Sequence, residues 1–212
     1  GITAPDRDLH VKGAANDPVH FKLEGDSSDY ARIMFDDGSN DNIGEIRYDF
    51  GSDYMTFNTN DVERMRISSA GEITKATQPA FQIKSGTSQD NISINANTTV
   101  VMANEHFDVG SNVASNTFTA PVTGKYQLSY QIRLDQLDID TGYYIINLVT
   151  SNRSYQYIQG TSGFDADMAY MTFAASQLCD MDASDTAFVQ VSVINAGAAQ
   201  VDITTESTFS GF

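Results

Sequence analysis

The chain has 212 residues, with 12 Lys and Arg against 28 Asp and Glu, a net charge of −16 and a pI of about 4.2. A surface this acidic repels phosphate backbones and anionic headgroups, which argues against nucleic-acid and membrane partners. No apolar run reaches the ~20 residues of a spanning helix, and a single cysteine, Cys179, excludes an intramolecular disulfide framework.

The chain opens at Gly1 rather than Met, the expected mark of a fragment or processed product. Residues 1–78 run in short alternating segments: "LHVKG", "PVHFKLEG", "ARIMFDDG", "GEIRYDF", "DYMTFNTN" and "ERMRISSAG". Each holds four to seven residues before a Gly, Asp, Asn or Ser, the pattern of short strands joined by tight turns. Ala31, Ile33 and Phe35 fall on one face of their strand, and Ile46 and Tyr48 on one face of theirs. Large apolar side chains are too few here for a closed core within one chain, so this half is expected to borrow its core from other copies.

From Pro79 the strands lengthen. "KYQLSYQIRL" sets Tyr126, Leu128, Tyr130, Ile132 and Leu134 on one face and Lys125, Gln127, Ser129, Gln131 and Arg133 on the other. Period two over ten residues predicts a half-buried antiparallel strand. "AFVQVSV" repeats it with Val189, Val191 and Val193 inward. Residues 143–149 and 169–175 are apolar on both faces, so each needs a second cover, another sheet or another subunit. The whole predicts a two-sheet sandwich.

The segment "NTFTAPVTGKYQLSYQIRL", residues 116–134, resembles the signature of the complement-subcomponent-q globular head family, which shares its jelly roll with tumour necrosis factor. Phe118, Ala120, Pro121, Gly124 and Tyr126 carry the likeness, with Pro121 fixing φ and Gly124 permitting a tight corner. "PAFQIKS" with Phe81, "FDVGSN", the Leu178, Asp185 and Val189 segment, and the closing "TFSGF" follow in the family's order. The family's Gly-Asp turn reads Ser184-Asp185 here, so an altered turn geometry is expected. The apolar residues that usually follow the last Phe are missing, as in a clipped final strand, and no collagen-like repeat is present. In the first half, Pro5, Leu9, His10, Val11 and Gly13, then Glu63, Arg64, Met65, Arg66, Ile67 and Gly71, resemble short motifs of bacteriophage tail-fibre shafts.

Candidate sites are few. The acidic pairs Asp138/Asp140, Asp165/Asp167 and Asp180/Asp182 have the spacing of glycosidase carboxylates, ~5–10 Å, but so does any surface pair, and no catalytic residue is assigned. Calcium takes oxygen ligands from such loops, and the resemblance implies calcium near a trimer apex; Asp138 and Asp140 are the candidate ligands, though "DIDTG" lacks a downstream bidentate Glu. No other cofactor is expected. His10, His20 and His106 are scattered without metal-ligand spacing, and Cys179 reads as a buried, inert thiol. Residues 151–167, "SNRSYQYIQGTSGFDAD", read as an exposed loop whose Tyr155, Tyr157, Phe164 and Asp165 would contact a receptor.

These readings combine into an all-β chain: a trimeric β-strand shaft over residues 1–78 and a two-sheet antiparallel jelly-roll knob over 79–212. The function they imply is a non-enzymatic virion fibre, a homotrimer whose knob binds a host glycan or protein. Its N-terminal side would meet other virion proteins, with no nucleic-acid partner and no membrane insertion. A secreted or surface adhesin with the same head is the alternative, and a polysaccharide-degrading tip a further one.

Overall fold

A computed structural model describes residues 20–37, 43–198 and 200–212. The "LHVKG" strand, His10 and the first shaft motif lie outside the described residues. The chain divides into two compact units between Ala76 and Thr77. The described residues contain strands, turns and no helix.

The first unit is one antiparallel sheet. Strands β1 (Tyr30–Phe35), β2 (Gly44–Asp49), β3 (Tyr54–Thr59), β4 (Val62–Ile67) and β5 (Ile73–Thr74) pair in chain order. Their turns follow from local chemistry. Asn60 and Asp61, at φ of 52° and 57°, make the two-residue hairpin between β3 and β4 whose twist matches the strands. A register shift beside Phe57 and Asn58 leaves Arg64 without an opposite residue, so that Met65 and Glu63 land on opposite faces. Residues 20–26 were expected as a strand and form no ladder.

Register sorts the side chains of this sheet sharply. One row reads Ile33, Ile46, Phe57, Met65, and the next on that face Ala31, Tyr48, Met55, Ile67, Ile73. The other face carries Arg32, Arg47, Thr56, Arg66, then Met34, Glu45, Asn58, Glu63. Its ions are paired: Arg32 with Glu45 at 3.3 Å, Arg47 with Asp49 at 2.8 Å, Arg66 with Glu63 at 2.6 Å. Arg32 and Arg47 stand opposite one another, which would repel. Tyr30 offers its ring to both, at 5.3 and 4.3 Å, and Arg66 lies over Tyr54 at 4.1 Å.

The second unit is a two-sheet sandwich. One sheet orders β13 (Ser154–Gly160), β12 (Tyr143–Thr150), β15 (Thr186–Ile194), β10 (Thr117–Thr119) and β9 (Val113–Ala114), with β7 (Asn97–Thr99) also on β15. The other orders β14 (Met168–Met181), β11 (Gly124–Leu137), β17 (Thr208–Gly211), β6 (Ala80–Lys84) and β8 (Asn104–Val109), with β16 (Asp202–Ile203) on β11. Every ladder is antiparallel, and the chain changes sheet at β6–β7, β7–β8, β8–β9, β10–β11, β11–β12, β13–β14, β14–β15 and β15–β16. That is jelly-roll winding.

The core lies between the sheets. Leu128, Ile132 and Leu134 are fully buried and Tyr126 and Tyr130 nearly so, as the alternation of β11 required. Val189, Val191 and Val193 face them from β15. Phe81 stacks on Phe118 at 4.7 Å and meets Phe209 edge-on at 5.0 Å. Residues 120–123 carry the chain from one sheet to the other, and the Tyr126 hydroxyl donates to the Val122 carbonyl at 2.6 Å, holding the corner shut. Ser184 sits at φ 76°, in the left-handed region glycine favours, so the serine accepts a glycine-type turn.

Candidate functional site

Residues 151–167 are not one exposed loop. Ser154–Gly160 forms β13 at the end of its sheet, its Tyr155, Tyr157 and Ile158 being side chains that favour strands. Tyr155 stands opposite Leu148 and Tyr157 opposite Ile146, both buried, so the two tyrosines share the inner face of their sheet. Tyr155 packs against the core beside Cys179 on β14. Burial raises its phenol, and the Cys179 sulfur beside it adds to the rise. Burial likewise raises the Cys179 thiol and outweighs the hydrogen bond from Tyr155, which keeps the thiol protonated and inert.

Strands β13 and β14 end their respective sheets on the same side of the sandwich, where Tyr157 meets Phe173 at 5.9 Å. Tyr157, 42% exposed, lies at this open edge, whereas Ile158 (56%) projects from the outer face of its sheet and Tyr170 (63%) and Leu178 (59%) from the outer face of the other. Arg133, paired with Asp135, lies over the Tyr170 ring at 4.6 Å. Ile158 and Leu178 escaped notice as contact residues in the sequence. The signal was the two-faced apolar pattern of 169–175, which continues to Leu178. Phe164 packs against the core, whereas Asp165 is exposed.

The acidic pairs separate to opposite ends of the sandwich. At one end an Asp138 carboxylate oxygen accepts the Asp140 N–H at 2.7 Å, and Asp167 accepts the Ile139 N–H at 3.0 Å. The Tyr144 hydroxyl closes the same turn on the Asp138 backbone, accepting at 2.9 Å and donating at 3.0 Å. At the other end Asp180 pairs with Arg153 at 3.0 Å. Asp185 accepts from the Asp182 N–H and the Asn152 amide, both at 2.9 Å. A pocket of about 240 Å³ beside them is lined by Thr123, Lys125, Asn152, Asp180 and Asp182. Asp138, Asp167 and Asp185 hold turns. Among the described residues no three His, Cys, Asp or Glu side chains converge to hold a metal ion. His20 and His106 are exposed, and an imidazole nitrogen of His106 lies 3.0 Å from the Gln82 side-chain oxygen.

No protein-family model matches the sequence, and no curated protein matches it. Among solved structures, the globular domain of zebrafish complement 1qA protein is similar at 14% identity and a TM-score of 0.47, over 64% of this chain and 96% of that one. Murine APRIL at pH 8.0 is similar at 14% and 0.44, over 63% and 95%. Murine APRIL at pH 8.5 is similar at 15% and 0.43, over 63% and 96%. The sandwich rests on its own strand pairings.

Proposed function

We propose that the chain is a non-enzymatic virion fibre protein, a homotrimer whose second unit is a head that binds a glycan or protein on the host surface. The observation that carries this reading is the set of exposed large apolar side chains on the two end strands of the head: Ile158 on the outer face of β13, Tyr170 and Leu178 on the outer face of β14, and Tyr157 at the edge between the sheets. Large apolar side chains left in water on end strands mark contact surface. Neighbouring copies cover this surface, and the exposed end near Asp165 remains for a receptor. Tyr155 and Phe164, which pack inward, serve the fold. One carboxylate of each acidic pair is tied to structure, Asp138 and Asp167 to backbone N–H groups and Asp180 to Arg153, which supports a structural use of these acids in a binding head.

The experiment is competition. Purified protein added to host cells should block adsorption of the parent particles, with Asp165→Ala weakening the block. Detecting the chain in culture fluid and never in purified particles would assign it to a secreted adhesin. Steady release of reducing ends from host polysaccharide would overturn the non-enzymatic reading.

A further inference from the structure

The sheet β1–β5 presents an amphipathic problem that its own unit does not solve. A sheet buries its apolar face against a second layer, and among the described residues of this unit there is none. The row Ile33, Ile46, Phe57, Met65 and the row beside it stay only half-covered or exposed. The face is also uneven. Phe35 (56% exposed) protrudes beside a hollow of about 450 Å³ and Ile33 (43%) beside one of about 260 Å³.

Three kinds of cover can be weighed. Residues 1–19 supply Ile2, Leu9, Val11 and Val19 as large aliphatics, interspersed with Asp6, Arg7, Asp8, Lys12 and Asp17. Four such side chains cannot fill a face of nine row positions. An unrelated partner would have to display an equally large uncharged face before assembly, a liability for any soluble protein. A copy of this chain brings a matching face with its own protrusions and hollows. Charge favours the copy too. The two apolar rows hold no charged side chain, while on the opposite face Arg32, Arg47 and Arg66 are each paired with an acid. Chains of −16 repel through most of their surface, and this face lets them meet without setting carboxylates against carboxylates.

We propose that copies of the chain join through this face. Three sheets turn their Ile33–Met65 rows toward a common axis and keep the arginine face in water. This rests on the homotrimer reading, and it names the surface and orientation that reading leaves open. Two consequences follow: the core of the first unit belongs to the assembly, and the Arg–Tyr stacks form the outside of the shaft.

The test uses neighbouring residues on opposite faces. Cys179 is fully buried, so an introduced cysteine is the reactive thiol of the full-length protein. Ile33→Cys should react with a bulky maleimide about tenfold or more slowly than Met34→Cys, as protection by a packed layer requires. Given an exposure long enough for the slowed Ile33→Cys thiol to react fully, a bis-maleimide spanning about 10 Å, the spacing of packed sheet faces, should link chains of the Ile33→Cys variant and leave those of the Met34→Cys variant unlinked. Ile73→Cys, on the same face as Ile33 and 61% exposed, gives the same readout should Ile33→Cys fail to fold. Equal labelling of both faces in a protein that still weighs three chains would overturn this interface and leave the trimer standing. Protection of Ile33→Cys without cross-links would give the cover to residues 1–19 or to another protein, and overturns it equally. A single-chain mass would remove both readings.

Discussion

Gly211 is where the head leaves least room. It pairs with Leu128 on β11 and with Phe81 on β6, and its missing side chain would point between them. A Cβ there would lie 2.5 Å from Leu128 Cδ2, 2.8 Å from Phe81 Cε1 and 3.1 Å from the Gln127 carbonyl oxygen. The first two neighbours cannot retreat. Leu128 is fully buried, and the Phe81 ring is held by Phe118 and Phe209. Gly211→Ala should therefore carry the cost of an overpacked core, about 1–3 kcal/mol. At roughly 2–4 °C for each kcal/mol, the melting transition of the head should fall by several degrees in calorimetry. Leu128→Ala sharpens the test. Alone it costs about 2–5 kcal/mol for the cavity, but in the double variant the alanine Cβ occupies part of that cavity, so the two losses should sum to less than their parts. A transition within about 1 °C of the parent for Gly211→Ala, or strict additivity in the double variant, would refute the packing described.

Ser184→Gly should stabilise the head by about 1 kcal/mol, because it relieves a left-handed serine; chemical denaturation measures it, and a loss of stability would contradict the turn. Tyr155→Ala should lower the melting temperature clearly while Asp165→Ala leaves it in place, since only the first packs against the core. Burial pushes the Tyr130 phenol from 10 up to about 12. The folded state then holds this proton where the unfolded chain has lost it, so stability is full below the unfolded value and declines as pH rises toward the folded one. Tyr130→Phe should match the parent near neutral pH and lose less stability than the parent in that alkaline window. Tyr130→Asp, by contrast, buries an unpartnered charge and should prevent the head from folding.

Much of the head was legible because its strands obey one rule. Wherever apolar and polar residues alternate against a single covered face, as in β11 and β15, the sequence alone names the buried set. The Ala120–Gly124 corner was legible for a local reason too: Pro121 fixes its own φ without outside help. β13 was not legible. Its inner face holds tyrosines and its outer face Gln156 and Ile158, so the polarity contrast that marks a strand is weak and the segment reads as loop. The outer apolar side chains of the end strands were hidden as well. The exposure of Ile158 and Leu178 follows from register, which turns each to the outer face of its own sheet. In the first unit, "ARIMF", "EIRYD" and "ERMRI" each alternate an apolar residue with a charged or polar one. The side-by-side register of those charges, with Tyr30 between two arginines, could only emerge once the strands were paired.

On the proposed reading this chain works as several copies, because both units leave apolar surface that one copy cannot cover. Light scattering across a dilution series decides the matter. The expected mass is three times 23.1 kDa, about 69 kDa, and it should persist on dilution because the folded shaft exists only in the assembly. A folded, cooperatively melting species of 23.1 kDa would contradict it.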